Sequence, residues 1–156
     1  MWHLVVILKY SAPRSFREAK DERSGYCHEN GCPLDKRICS TYGGKNICAI
    51  AAKSGYLEMV RYCRENGCPW DEDTCVSAAY SGNLEVLRYC RENGCPWNED
   101  TFFNAVYSGN LEMLRYCRDN GCPWDYNTCR VALENFKYEI LDWLLNNNCP
   151  CNGRYH

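Results

Sequence analysis

The chain has 156 residues, 46% apolar and 24% charged, with a formal charge of −2 at pH 7; this is the composition of an ordinary folding domain. Such a balance excludes steering onto nucleic acid or an anionic membrane by net charge. The longest apolar stretch near the start, Leu4 to Leu8, has five residues, against the ~20 that span a bilayer and the roughly 7–15 of an export signal, so an intracellular, cytoplasmic protein is expected.

In chain order, residues 1–31 form an irregular N-terminal segment. Trp2, Leu4, Val5, Val6, Ile7 and Leu8 read as a cap over an apolar end, as a short helix or a strand. Ser15 to Glu18 has capping-box spacing and predicts a helix at about 16–30, whose last turn, Tyr26 to Gly31, copies Tyr62 to Gly67. Residues 32–148 are organised by a recurring unit. Asn-Gly-Cys-Pro stands at Asn66 to Pro69, Asn93 to Pro96 and Asn120 to Pro123, with Asn147-Asn148-Cys149-Pro150 following at the same interval of 27. The earlier Asn30 to Pro33 lies 36 residues before Asn66, so the first unit carries an insertion around Ser40 to Lys45, interrupted at Gly43-Gly44. Fixed self-similarity of this length means units that stack because none can bury its apolar face alone.

Each unit divides into two helices. Asp71-Glu72-Asp73-Thr74 starts the first, and Gly82 stops it. Leu84, Val86, Leu87 and Cys90 line one face of the second, with Glu85, Arg88, Arg91 and Glu92 opposite, until Asn93-Gly94 ends it before Pro96. The same division predicts helix pairs at about 45–66, 72–93, 99–120 and 126–147, turning at Gly55, Gly82, Gly109 and Phe136, with residues 149–156 as a tail. No period-two alternation persists, so strands are not expected.

Ala78-Ala79, Ser81-Gly82-Asn83-Leu84-Glu85-Val86-Leu87 and Glu92-Asn93-Gly94-Cys95 resemble the Ala-Ala, Gly-His, paired aliphatics and closing Gly-Ala-Asp of the ankyrin repeat. Ala51-Ala52 with Ser54 to Val60, and Ser108 to Leu114, repeat the likeness. It covers roughly residues 45–148. The unit is shorter than the ankyrin period of about 33, and Asp73-Thr74-Cys75-Val76 stands where the family has Thr-Pro-Leu-His. The resemblance implies an all-α, ankyrin-like helix-turn-helix solenoid with short Cys-Pro-Trp-Asp loops in place of β-hairpins. The cysteine-rich form is similar to ankyrin-like arrays of large DNA viruses of amoebae and of some protists, which implies a host cytoplasm if the chain is viral.

Fourteen cysteines invite a chemical reading. Cys27, Cys63, Cys90 and Cys117 share one register of helix two, with Leu144 in the last copy. Cys39, Cys48, Cys75 and Cys129 share a helix-one register, with Phe102 in the third copy; Cys32, Cys68, Cys95, Cys122 and Cys149 follow helix two. Replacement by Leu and Phe predicts packing thiols. No Cys-x2-Cys pair is present for zinc, so no metal and no cofactor are expected. His3, His28 and His156 lie in the irregular ends, so no catalytic residue is expected and the chain is read as a non-enzyme.

Three surface rows remain. Trp70, Trp97 and Trp124 either cover the gap between units or face a partner. Arg61, Arg88 and Arg115, with Arg64, Arg91 and Arg118, have acids three or four residues away and read as a self-paired solvated face. The third row is the variable helix-one surface: Ile50, Lys53 and Ser54, then Ser77, Tyr80 and Ser81, then Asn104, Tyr107 and Ser108. By the family resemblance these line the binding face, with tyrosine as the strongest anchor, while Asp71, Glu72, Glu99 and Asp125 read either as helix caps or as a negative edge for a basic partner. The expectation is a monomeric protein-protein interaction scaffold or adaptor. The alternatives are a metal- or redox-responsive module and nucleic-acid binding through the arginine rows, the latter disfavoured.

Overall fold

The computed structural model describes residues 47–65 and 67–150. Among the described residues there are eight α-helices and no strand: α1 Ile47–Lys53, α2 Leu57–Glu65, α3 Glu72–Ser81, α4 Leu84–Glu92, α5 Glu99–Ser108, α6 Leu111–Asp119, α7 Tyr126–Glu134 and α8 Tyr138–Asn146. The helix expected at about 16–30, the cap over residues 1–14, the insertion near residues 36–45 and the end of the tail lie outside the described residues.

Each first helix packs on the second helix of its own unit, and the first helices also pack on one another in order, α1 on α3, α3 on α5 and α5 on α7. The residue sizes explain why the first helices approach so closely. Ala51, Ala52, Ala78, Ala79 and Ala105 are buried along them, whereas α2, α4 and α6 bury Met59-Val60, Val86-Leu87 and Met113-Leu114. Interaxial distance follows the side chains at the contact, so the alanine row draws the first helices together.

The turns within units use left-handed backbone. Gly55, Gly82 and Gly109 have φ of 74°, 73° and 81°, which glycine adopts without steric cost. The fourth unit places Phe136 there at φ 56°, 75% exposed, a conformation that costs an L-residue about 1–2 kcal/mol. The second helices of the middle units are then capped by Asn83 and Asn110, whose side-chain oxygens accept from the Val86 and Met113 amides at 3.1 Å each. The same side chains also reach backward. Asn83 Nδ2 donates to the Gly55 carbonyl at 2.7 Å and Asn110 Nδ2 to the Gly82 carbonyl at 3.1 Å, so a single amide caps one unit and ties it to the previous one. The fourth unit has Lys137 in this register, with no side-chain cap.

Thr74, Thr101 and Thr128 are fully buried in the first turn of α3, α5 and α7. In α5 the arrangement is a capping box: Asn98 accepts from the Thr101 amide at 3.3 Å, and Thr101 Oγ1 accepts from the Asn98 amide at 3.4 Å. In α7 Asp125 instead accepts from the Asn127 amide and side chain, and among the described residues Thr128 Oγ1 has no hydrogen-bond partner.

Two stability predictions follow from these caps, both read by urea unfolding. Asn110→Ala removes a cap and an inter-unit hydrogen bond and is expected to cost about 2 kcal/mol, while Asn110→Asp, which keeps only the acceptor, costs about 1 kcal/mol. Equal losses would mean that the backward bond is worth nothing. Thr128→Val is expected to leave stability unchanged or raise it by up to about 1 kcal/mol, because it deletes an unpaired buried hydroxyl; Thr101→Val, which breaks the capping box, lowers it by about 1 kcal/mol. The reverse order would contradict the two cap geometries.

Candidate functional site

The first helices leave one groove open along their common face. Its volume is about 190 Å³, and Ala49, Ile50, Lys53, Val76, Ser77, Tyr80 and Asn104 line it. Five of the residues singled out by sequence, Ile50, Lys53, Ser77, Tyr80 and Asn104, therefore meet across α1, α3 and α5. Tyr107 belongs to the same row: its ring stacks on Tyr80 with centroids 5.8 Å apart and planes 9° apart. The Lys53 ammonium sits 4.9 Å from the Tyr80 centroid on the other side of that row. The stack leaves Tyr80 46% and Tyr107 45% exposed, large apolar areas held in place by each other and by a cation.

The polar residues of the row are already partly committed. Ser81 Oγ donates to the Ala78 carbonyl at 2.8 Å and Ser108 Oγ to the Ala105 carbonyl at 2.8 Å, as Ser54 does to Ala51 at 2.6 Å. These hydroxyls help to close helix ends. Asn104 Nδ2 donates to the Asp100 carbonyl at 2.8 Å, which leaves its side-chain oxygen turned to other uses.

The indoles of Trp70, Trp97 and Trp124 do not line this groove. Each is half-buried and packs edge-on against an aromatic ring of the following unit: Trp70 on Tyr89 and Trp97 on Tyr116, both at 6.3 Å, and Trp124 on Trp143 at 6.4 Å. Arg64, Arg91 and Arg118 cover them at 4.1, 4.1 and 4.5 Å. Arg64 and Arg91 also donate to the Cys68 and Cys95 carbonyls at 3.1 and 2.6 Å. The other arginine row crosses between units too. Arg61 lies over Tyr89 and Arg88 over Tyr116, and Arg88 meets Glu112 at 3.5 Å. Only Arg61 among these has its ion pair within its own helix, with Glu58 at 3.8 Å. The expected self-paired face thus keeps the Arg61–Glu58 pair and adds ring contacts within each unit and contacts to the next, which intrahelical spacing cannot reveal.

Among the described residues eight free thiols, Cys48, Cys63, Cys75, Cys90, Cys95, Cys117, Cys122 and Cys149, are buried. Cys68 and Cys129 are buried as well. The thiols after helix two do more than fill space. Cys95 Sγ donates to the Asp71 carbonyl at 3.3 Å, Cys122 Sγ to the Asn98 carbonyl at 3.5 Å and Cys149 Sγ to the Asp125 carbonyl at 3.8 Å, each one unit back. Hydrogen bonding to Cys48 and burial raise the Cys63 thiol, and hydrogen bonding to Cys117 and burial raise that of Cys122. Cys75 is held up by its bonds to Cys90 and Cys95. Cys90, which receives the Cys75 bond, is drawn down, but it has no exposed surface through which to react. Among the described residues no group of three or more His, Cys, Asp or Glu side chains is placed to share a metal ion, and no helix is long and apolar enough to cross a membrane.

Neither a known family model nor a curated protein matches the chain.

Burial pushes the Cys149 thiol from 9.0 up to about 12, which has a consequence for stability. Below pH 9.0 both folded and unfolded chains keep this proton; above it the unfolded chain ionises while the folded one does not, so stability falls as pH rises towards about 12. Melting temperature is expected to decline over that range, and Cys149→Ala is expected to make the decline shallower. An identical slope in the variant would remove this thiol from the account.

Proposed function

We propose that the chain is a non-catalytic scaffold or adaptor, built as an ankyrin-like solenoid with short loops, that binds a partner protein through its first-helix face. The observation that carries this reading is the Tyr80–Tyr107 stack beside an open groove. Interface anchors are commonly rigid aromatic rings with a polar tip, and here two such rings are aligned within 9° yet remain nearly half exposed. A pair serving only the core would be covered. The framework residues around it are committed: the cysteines, alanines and second-helix aliphatics are buried, and the tryptophans are overlaid by arginines.

The same commitments weigh against the alternatives. A phosphate-tracking arginine row needs free guanidinium groups, whereas Arg64, Arg91 and Arg118 lie on indoles and Arg88 is paired with Glu112. A redox-responsive module needs accessible thiolates, and the free thiols among the described residues are buried. The proposed setting is intracellular and the proposed state a monomer.

The test is affinity capture from extracts of the source cells, comparing the native chain with a Tyr80→Ala/Tyr107→Ala variant. One specific protein is expected to be retained by the native chain and lost, by tenfold or more (about 1.4 kcal/mol), from the variant, with melting still cooperative. Equal retention by both would move the docking site off this face.

A further inference from the structure

Two chemically different zones flank the groove, one of them the starts of α3 and α5, a helical turn before the lining residues Ser77 and Asn104. α3 begins Glu72-Asp73 and α5 begins Glu99-Asp100, and neither helix contains a lysine or arginine. The second helices beside them, α4 and α6, each balance two acids with two arginines. Helical spacing puts Asp73 on the face of Ser77 and Tyr80, and Asp100 on the face of Asn104 and Tyr107. All four first-turn carboxylates are exposed. A helix N-terminus carries only about half a positive charge, so one acid per helix more than offsets it and the second is left uncompensated. The other zone holds the stacked tyrosines and the Lys53 ammonium. The groove itself has Ala49, Ile50 and Val76 as its aliphatic lining.

We propose that this groove takes an extended basic segment of the partner protein, seating an aliphatic side chain between Ile50 and Val76 and a lysine or arginine against Asp73 and Asp100. The proposal rests on the docking face argued above and adds the partner's chemistry to it. Charge complementarity selects this occupant. A nucleic acid would bring phosphates onto Glu72, Asp73, Glu99 and Asp100, and a second copy of the chain would bring the same carboxylates onto themselves; like charges brought together in this way oppose binding. Lys53 sets the direction, because its charge excludes a second cation beside Tyr80 and sends the basic residue towards the helix starts.

The experiment is to pan a display library of random peptides against the full chain, then measure the enriched peptides by titration. Expected are sequences that pair a lysine or arginine with an aliphatic residue. Their binding should weaken as salt is added, fall about fivefold on Asp73→Asn/Asp100→Asn, and be lost on Tyr80→Ala/Tyr107→Ala. Both aspartates are exposed and asparagine is also accepted at helix starts, so an unchanged melting curve is expected for the asparagine variant. Neutral or acidic winners, or basic ones indifferent to both aspartates, would overturn the basic-partner proposal while leaving the docking face standing. Winners that ignore the tyrosine variant would instead remove the face itself. The proposal also fails if no peptide is enriched, if a homopolymeric RNA displaces the peptide, or if the chain sediments as a dimer that the tyrosine variant dissolves.

Discussion

The close packing of each first helix on the next is the contact from which the other features of the structure derive. It is possible because alanine, with no side-chain entropy to lose and little volume, occupies Ala51, Ala52, Ala78, Ala79 and Ala105 on the facing surfaces. A single helix pair is too small to enclose Phe102, Leu87 or Met113, all of which are fully buried here. Each unit's stability is therefore shared with its neighbours.

Several weaker ladders repeat that lateral relation. The Asn83 and Asn110 amides reach back to the glycine turns, the thiols of Cys95, Cys122 and Cys149 reach back to the loop carbonyls, and the tryptophans reach forward to the next second helix. Each bond is modest by itself, about 1 kcal/mol or less for a neutral pair. Their worth lies in agreement: all are satisfied by one relative placement of successive units, so any other placement loses several at once. Where the pattern lapses, in the fourth unit, the lapses come together: Lys137 in place of the capping asparagine, Phe136 in a left-handed turn, and an unpaired Thr128 hydroxyl. Leu133 is also exposed there, although Val106 in the same register of α5 is fully buried, because no later helix among the described residues covers it.

Commitment of the framework also decides which side chains stay exposed. With the alanines, cysteines and aliphatics buried and several arginines laid over aromatic rings, the first helices keep Tyr80 and Tyr107 nearly half exposed. The Tyr80–Tyr107 stack and the partly aliphatic groove beside it arise from that remainder.

Much of this was legible in the sequence. The interval of 27, the apolar face of Leu84, Val86, Leu87 and Cys90, and the glycines at the turns are local signals, since helical periodicity and left-handed backbone are properties of a short segment. Substitution of Cys by Phe102 and Leu144 in equivalent registers likewise pointed to burial. The partners of the arginines were not legible: Arg88 has acids within its own helix yet meets Glu112, and Arg64 lies on Trp70. Nor were the stacking of Tyr80 on Tyr107 or the expenditure of Ser81 and Ser108 on their own helices. A sequence determines which face of a helix each side chain occupies, because that depends on a few neighbouring dihedrals. Which of several reachable partners it takes is decided by the distance and angle between helices far apart in the chain, and those are set only when the alanine surfaces meet.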